Sequence, residues 1–339
     1  MITKLSLENF KAFEKETFEL GWLNVLAGLN SSGKSSVIQA IRLLHEKKPL
    51  DGLGPLKEYI RSSAKGESKG FVVKCAVRDG RQFEFSFARE AACPKYGESL
   101  PGVVSSISAD RFGPKNSLPL NVGGVIQTVG ARGENIVDFL ARLDRDWDDL
   151  RIPPALAAKE GTGVKNNIVE WLRILSPGVD FAYETDYRMD AGRTEFNRYR
   201  PVHVGFGLSY ALPIIASVLV HSGQLAKGNG TPILLLIENP EAHLHPSGQT
   251  KMGELLSLAA SCGIQLIIET HSDHLMNGIR IAVKEGKLPP PDVKFYFFNS
   301  GNCDTPTVVE QIAMDRHGMM ERWPDGFFDE TEKNLLRLV

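Results

Sequence analysis

The segment Gly28-Leu29-Asn30-Ser31-Ser32-Gly33-Lys34-Ser35 decides the fold, because it fits the pattern G-x4-G-K-[S/T] at every required position. The apolar run 22–27 predicts a strand before it, and residues 36–44 have apolar side chains at helical spacing after it. Such a loop directs backbone N–H groups and a helix N-terminus at an anion. The pattern predicts that Lys34 reaches the β- and γ-phosphates of a nucleoside triphosphate and that the Ser35 hydroxyl binds Mg²⁺. The alternative is a glycine-rich turn before an ordinary helix, which the flanking elements and both chemical residues disfavour.

Composition sets broad limits on the class of protein. The 339 residues carry 39 basic and 41 acidic side chains, so no overall basic excess indicates nucleic acid, although a local patch can still bind it. The four cysteines are far apart and include no C-x2-C pair, which favours reduced thiols. No apolar run approaches the ~20 residues of a membrane span, and residues 1–7 alternate like a strand rather than a signal peptide. We therefore expect a soluble cytoplasmic protein with no membrane partner.

The first ~90 residues combine the phosphate loop with antiparallel strands. Residues 2–10 alternate apolar and polar side chains, and 11–20 form a second plausible strand. Two more alternating runs, 71–77 and 82–87, flank Asp79-Gly80, which is a strong hairpin pattern.

The rest of the chain alternates helices with buried strands. Helical periodicity covers 135–143 and 164–175, and a second hairpin is predicted from 179–187 and 194–199 around 190–192. The continuous apolar runs 232–237, 265–268 and 293–298 predict strands covered on both faces, with a helix at 247–262.

Two polar positions follow the buried strands of the last third. Glu238 stands at the tip of the run 232–237, where P-loop ATPases place the carboxylate that holds Mg²⁺. A solvated strand-end glutamate is the alternative. His271 follows the next strand, from which an imidazole can reach the γ-phosphate or the attacking water. The alternative is a histidine that is only a satisfied polar group.

A third motif lies at Val204-Gly205-Phe206-Gly207-Leu208-Ser209, before an apolar helical run. Glycines and a serine in this place predict an exposed helix N-terminus with an N-cap hydroxyl, and therefore a second anion site. A simple capped turn is the alternative.

Together these residues resemble the ABC-type ATPases of the SMC, RecF and overcoming-lysogenization-defect (OLD) branch, in particular small OLD-like ATPases without a Toprim domain. The resemblance spans nearly the whole chain, and the string at 237–246 is its most specific part. Residues 108–114 match only loosely. The motifs that carry the resemblance are 7–13, 28–35, Gly207-Leu208-Ser209, Ile237-Glu238-Asn239-Pro240-Glu241-Ala242-His243-Leu244-His245-Pro246 and Thr270-His271-Ser272.

The resemblance implies that ATP with Mg²⁺ is sandwiched between two copies of the chain. Ser209 of one copy then caps the γ-phosphate held by Lys34 of the other, and His271 is the switch histidine. Ser35 and Glu238 are the implied metal ligands. The further residues that it assigns to the nucleotide are Lys11, Gly28, Asn30, Ser31, Ser32, Gly33 and Ser36.

The chain departs from this family in two ways. Asn239 stands where the ABC pattern has a catalytic glutamate, and an amide cannot accept a proton from water. Either Glu241 is the base, which we favour, or hydrolysis is slow. OLD proteins also carry a C-terminal Toprim nuclease, but the acidic residues after His271 form no convincing set, which indicates the ATPase half alone. These are Asp304, Asp315, Asp325 and Asp329. The tail 323–329 suits docking against a lobe or partner, or simple packing.

The sequence thus predicts an α/β fold: an ABC-type P-loop ATPase head with a mixed parallel core sheet, an antiparallel β subdomain and a small helical lobe. We assign 1–90 and 230–339 to the nucleotide-binding lobe, and 91–229 to the helical lobe. The expected function is a slow ATPase that works as a homodimer or higher oligomer. It would control a separate effector, a nuclease or toxin, in bacterial anti-phage defence. The alternatives are a RecF-like DNA-binding repair ATPase and a nucleotide-locked scaffold with negligible turnover.

Overall fold

The computed structural model describes residues 1–63, 66–67, 69–91, 93–121, 126–159, 162–228, 230–299, 307–323 and 330–338. The predictions for Cys303, Asp304 and the tail segment 324–329 lie outside the described residues. In chain order the strands are β1 (Ile2–Phe10), β2 (Phe13–Glu19), β3 (Leu23–Gly28), β4 (Ser62–Ser63), β5 (Gly66–Glu67), β6 (Gly70–Val77), β7 (Gln82–Ala88), β8 (Lys95–Tyr96), β9 (Val103–Ile107), β10 (Leu118–Pro119), β11 (Phe181–Asp186), β12 (Ala191–Phe196), β13 (Ile233–Glu238), β14 (Gln265–Glu269), β15 (Val293–Asn299) and β16 (Val308–Ile312). The helices are α1 (Lys34–Glu46), α2 (Ile136–Ala141), α3 (Val164–Leu175), α4 (Phe206–Ala226), α5 (Pro246–Ser261), α6 (Asp273–Lys284) and α7 (Glu330–Leu338).

The chain divides into two compact units. The first comprises residues 1–104, 290–315 and 319–339, and the second comprises 105–289 with 316–318. The lobes predicted from the motifs are drawn differently, since residues 230–289 pack within the second unit. The two lobes group residues by their expected function rather than by compactness, and this division stays a prediction.

In the first unit, an antiparallel sheet has the strand order β2-β1-β6-β7-β8. The hairpin predicted around Asp79-Gly80 is confirmed, because β6 and β7 pair with Cys75 opposite Phe83. The inward residues of β1, Leu5 and Leu7, are buried, as the alternating pattern requires. In the same unit β15 pairs with β3 in parallel and with β16 in antiparallel fashion.

In the second unit, β13 and β14 are parallel neighbours with Glu238 opposite Glu269. Both strands are almost wholly buried, which confirms the prediction from their continuous apolar runs. Helices α5 and α6 touch through their backbones. A Cβ on Gly253 would lie 2.2 Å from the Leu275 carbonyl oxygen, and one on Gly278 would lie 2.1 Å from that of Thr250.

Helix α4 is both long and apolar. It runs for 21 residues with a mean hydropathy of 1.4 in its most apolar window, so by length and composition it passes the test for a membrane span. Pro213 and His221 interrupt the apolar run, so the sequence has no continuous apolar stretch of this length although its mean hydropathy is high. Since 72% of that window is buried, the helix has the property of a core helix of the second unit.

The predicted middle region is right in kind and shifted in detail. Helix α3 has the predicted bounds, whereas α2 is shorter than predicted. The second hairpin exists, but β12 begins at Ala191 rather than at Thr194. Asp190, which has a φ of 46°, ends the turn earlier than the glycine at 192 suggested. Helix α6 and strands β9 and β16 were not predicted.

Candidate nucleotide site

The phosphate loop connects β3 directly to α1, as predicted. Gly28 has a φ of 139°, and a Cβ there would lie 2.2 Å from the Phe298 carbonyl oxygen of β15. Gly33 has a φ of 100° and precedes the first residue of α1. Only glycine meets both conditions without strain, so the two fixed glycines of the motif are set by backbone geometry.

Lys34 folds back over its own loop. The side chain is 3% exposed, and its Nζ donates to the carbonyl oxygens of Gly28 at 3.0 Å and Leu29 at 2.6 Å. Ser32 Oγ donates to the same Leu29 oxygen at 2.7 Å. Gly33 gives α1 no side-chain cap, so the N–H groups of its first turn keep the polarity that an anion needs.

The other predicted nucleotide-binding residues of the loop lie on either side of Lys34 in the sequence and differ in exposure. Asn30 and Ser31 are exposed, Ser35 is half-buried, and Ser36 is buried with its N–H donating to the Gly33 carbonyl oxygen at 3.0 Å. Ser31 has a φ of 60°, which is consistent with a loop that turns its N–H groups inward.

Lys11, also predicted to bind nucleotide, lies beside α1. Its Nζ donates to Gln39 Oε1 at 2.6 Å and stands 4.7 Å from the centre of the Tyr59 ring. Burial lowers the pKa of Lys11 below its ordinary value. The lysine is thus held by an amide and an aromatic face.

Glu238 is the last residue of β13, and its carboxylate has a defined orientation. Its Oε2 accepts the Ala109 N–H at 3.0 Å. Glu269, at the matching position of β14, is 7% exposed. Two adjacent carboxylates can be recognised only once β13 and β14 are known to be neighbours.

Each of the two predicted metal ligands, taken by itself, is of a chemical type that suits Mg²⁺. No group of three or more His, Cys, Asp or Glu side chains suited to a metal occurs in the described part of the chain. Mg²⁺ usually relies on one or two carboxylates together with substrate phosphates and water. The Ser35 hydroxyl and the Glu238 carboxylate are donors of this kind.

Glu241 is a buried carboxylate that is hydrogen-bonded to the segment directly after β14. It is 9% exposed, and its Oε1 accepts the N–H of His271 at 2.8 Å. Within the described residues its buried Oε2 has no hydrogen-bond partner. Burial raises the pKa of Glu241, against the lowering effect of the His271 N–H. The structure therefore brings Glu241 and His271 together.

His271 itself is exposed and immediately follows β14. Ser272 then caps α6, with its Oγ accepting the Leu275 N–H at 2.9 Å. The same Oγ donates to Gln249 Oε1 at 2.5 Å. The segment after β14 is thus fixed on both sides of the exposed imidazole.

Ser209 does not cap α4 as the sequence suggested. The helix begins at Phe206 with Gly205 as N-cap and without a side-chain capping bond, so Ser209 lies within the first turn and is half-buried. The first turn of α4 packs closely on the loop after β13, since a Cβ on Gly207 would lie 2.5 Å from the His243 carbonyl oxygen. The uncapped N-terminus keeps the polarity predicted for a second anion site.

One residue that sequence reasoning missed is Arg111. It is 2% exposed, and its guanidinium donates to the carbonyl oxygens of Glu238 at 2.8 Å and Asn239 at 2.6 Å. Because the segment 108–114 matches the family only loosely, the sequence does not indicate that Arg111 binds the end of β13.

Two known protein families match parts of the chain. The AAA ATPase domain family matches residues 1–85 and 197–276, and a protein family of unknown function, DUF3696, matches 288–338. The first match covers the phosphate loop and all three motifs of the second unit. No curated protein sequence matches the chain.

Solved structures share the fold at low sequence identity. The SMC head bound to the C-winged helix domain of ScpA has a TM-score of 0.56 at 15% identity, with 93% of this chain and 98% of that chain covered. An SMC head with an extended coiled coil, bound to the C-terminal domain of ScpA derived from Pyrococcus furiosus, has a TM-score of 0.54 at 14% identity, with 99% of both chains covered. The recombination mediator RecF with ATPrS has a TM-score of 0.51 at 15% identity, with 92% and 98% covered.

The fold is therefore that of an SMC- and RecF-type ABC ATPase head, and the predicted α/β fold class is confirmed. The AAA ATPase domain match covers residues 1–85 and 197–276, so these parts of the chain are similar to ATPase domains. The narrower assignment to the OLD branch stays a prediction.

Proposed function

We propose that this chain hydrolyses ATP slowly between two copies of itself and thereby switches a separate effector protein. One observation carries the proposal most: Lys34 lies folded over a glycine loop whose helix has no side-chain cap. A loop in this shape binds a triphosphate by exchanging lysine–carbonyl hydrogen bonds for lysine–phosphate ones. ATP is the expected nucleotide because of the ATPase family match.

Each of the other assigned residues has a proposed role. The N–H groups of residues 28–36 and the Lys34 ammonium bind the phosphates, and Lys11 supports the loop beside α1. Mg²⁺, when bound, neutralises charge on the phosphates and positions them. Ser35 and Glu238 are its proposed ligands.

Glu241 is the proposed general base. Burial raises its pKa towards the range that a general base needs, and one carboxylate oxygen, buried in this structure, has no hydrogen-bond partner among the described residues. Its other oxygen is engaged by the His271 N–H, which links the base to the histidine proposed to contact the γ-phosphate. Asn239 in the usual position of the base supports slow turnover.

The dimer is proposed from α4. Ser209 lies in the first turn of a helix whose N-terminus has no side-chain cap, a suitable site for the γ-phosphate held by a second copy. The solved SMC heads are bound to domains of ScpA, which supports a partner protein as the receiver of the switch. A nuclease or toxin in anti-phage defence remains our proposal for that receiver. We also propose a cytoplasmic location, which the unpaired Cys75, Cys93 and Cys262 support.

Mixing two inactive variants tests the sandwich. Lys34→Ala and Ser209→Arg each remove one half of every site in a homodimer. In a 1:1 mixture, half of the dimers are mixed, and each has one site built from intact Lys34 and intact Ser209. We expect phosphate release to return to about a quarter of the wild-type rate.

Light scattering with ATP and Mg²⁺ checks that dimers form. Recovery confirms that the two residues act from different copies. No recovery in a mixture that does form mixed dimers shows that each copy uses its own Lys34 and Ser209, and the sandwich is then wrong.

A RecF-like DNA-binding ATPase is the second candidate, favoured by the fold match to RecF with bound ATPrS. DNA affinity that depends on ATP and falls steeply with salt would support it. The nucleotide-locked scaffold, which Asn239 favours, predicts equal phosphate release by wild type, Lys34→Ala and Glu241→Gln.

A further inference from the structure

Segment 109–111 holds Glu238 in two ways. The Ala109 N–H donates to the Glu238 carboxylate, while the Arg111 guanidinium donates to the carbonyl oxygens of Glu238 and Asn239. These carbonyls stand where β13 ends and the chain turns, with Asn239 at a φ of 46°. A planar guanidinium holds two acceptors at once, so Arg111 helps to fix the direction in which the chain leaves β13, together with the Asn239 N–H, which donates to the Glu269 carbonyl oxygen.

The same guanidinium also contacts α4. Its centre lies 4.9 Å from the centre of the Tyr210 ring, and Tyr210 directly follows Ser209. The Tyr210 ring meets the His243 ring edge-on at 4.8 Å, and His243 also lies 5.4 Å from Phe206. Arg111 is therefore in contact with both the end of β13 and the first turn of α4.

This arrangement costs stability, which argues for a role beyond packing. Arg111 makes no ion pair with a carboxylate within the described chain, and its buried Nε has no hydrogen-bond partner there. Burial lowers the pKa of Arg111 to about 10, although Tyr210, Glu241 and Glu238 act to raise it. The buried Nε–H without a partner carries a desolvation cost.

We propose that Arg111 is a positioning residue for ATP hydrolysis, which fixes the Glu238 end of β13 against the first turn of α4. The inference rests on the proposed function, since it concerns the geometry of the proposed metal carboxylate and of the Ser209 turn. It predicts that loss of Arg111 affects turnover far more than nucleotide binding.

The first test compares steady-state kinetics of Arg111→Gln, Arg111→Lys and a matched control, Arg132→Gln. Arg132 also stacks on an aromatic ring, Phe112, at 4.5 Å, but it is half exposed and paired with Asp110. We expect Arg111→Gln to lower kcat roughly 100-fold, with KM for ATP within about 3-fold of wild type. The Mg²⁺ concentration for half-maximal rate should rise. Arg111→Lys should be intermediate because lysine lacks the planar fork, and Arg132→Gln should resemble wild type.

Tyr210 gives a second route that leaves the buried charge in place. Tyr210→Phe keeps the ring under the guanidinium, whereas Tyr210→Leu removes it. We expect the leucine variant to lose roughly 10-fold in kcat and the phenylalanine variant to stay near wild type. This pair decides the matter even where Arg111→Gln fails to fold.

Amide hydrogen exchange tests the same contact without turnover. Faster exchange in 206–210 and 239–244 is expected for Arg111→Gln or, where that variant does not fold, Tyr210→Leu, with 28–46 unchanged and Arg132→Gln like wild type. Wild-type exchange in both segments, or kcat no lower than that of Arg132→Gln, overturns the inference. A wild-type protein with no ATPase activity above Lys34→Ala instead defeats the proposed function, and the exchange result still decides the role of Arg111.

Discussion

The phosphate loop and the end of β13 each use one buried cation to hold two backbone carbonyls, and they differ in which cation they use. Lys34 donates to Gly28 and Leu29, and Arg111 donates to Glu238 and Asn239. A lysine ammonium is compact and its donors rotate, so it can exchange a carbonyl for a phosphate oxygen. An arginine fork is rigid and, here, stacked on Tyr210. The first region is built to change partners and the second to keep them.

The largest effect is expected from Lys34→Ala. Loss of the ammonium removes the cation that we propose binds the phosphates, and we expect ATP turnover to fall about 1,000-fold. Lys48→Ala, a surface lysine paired with Asp51, is the control. The measurement is phosphate release, with ATP affinity by calorimetry. If Lys34→Ala turned over ATP at the wild-type rate, the proposal that Lys34 exchanges its carbonyl partners for phosphate oxygens would be wrong.

Next in size is Glu241→Gln, with an expected fall of about 100-fold in kcat. Because burial raises the pKa of Glu241 above 4.5, the base becomes active as the pH rises through that raised value. The wild-type rate should therefore have an acid limb above pH 4.5 that the glutamine variant lacks. If the pH–rate profile of Glu241→Gln matched that of the wild type, Glu241 would not be the general base, and its role would be limited to the hydrogen bond with the His271 N–H.

The same ionisation affects stability in the opposite direction. The folded state binds its proton more tightly than the unfolded state, so the free energy of unfolding falls as the pH rises from 4.5 through the raised pKa. Denaturant melts of wild type and Glu241→Gln across this range should diverge, with the wild type losing more stability.

A smaller effect is expected from Gly207→Ala. The added methyl would lie 2.5 Å from the His243 carbonyl oxygen, so the first turn of α4 must move away from the loop after β13. We expect a roughly 10-fold lower kcat with nucleotide affinity retained. Gly205→Ala is the control, because a Cβ there meets open space. Equal kinetics of the two variants would show that the second region tolerates displacement.

The smallest effect is expected from Tyr183→Phe, which gives the scale of an ordinary contact outside both regions. The hydroxyl lies 2.7 Å from Asp144 Oδ2 and 2.9 Å from the Leu140 carbonyl oxygen, and burial raises its pKa. We expect a loss of about 1 kcal/mol in the free energy of unfolding and unchanged turnover. Tyr187→Phe, which alters an exposed ring, should change neither quantity. A change in turnover would show that the kinetic effects above are not confined to the two regions.

The two regions also differ in how far sequence predicts them. The phosphate loop is local: its strand, glycines, lysine and helix are contiguous, and glycine at 28 and 33 is imposed by backbone geometry. The end of β13 is not local, because Arg111 acts on carbonyls more than a hundred positions along the chain. Carbonyl oxygens have no residue identity, so a side chain that binds them leaves no pattern at its target.

The remaining errors have local causes. The sequence predicts that Ser209 caps α4, yet the helix begins at Phe206 with Gly205 as its N-cap, so Ser209 lies inside the first turn. In β12 the positive φ of Asp190 moved the turn, since aspartate tolerates that conformation as glycine does. The strands with continuous apolar runs were predicted within a residue or two, because full burial leaves few alternatives.

The glycine contacts between α5 and α6 have a mechanical consequence. Gly253 and Gly278 bring the two helix backbones together, which leaves no side-chain layer through which they can slide. Helix α5 starts just after the His243 loop, and α6 starts just after His271. A displacement of one helix along its axis is therefore expected to move the other, which would couple the segment of Glu241, our proposed base, to the segment of His271.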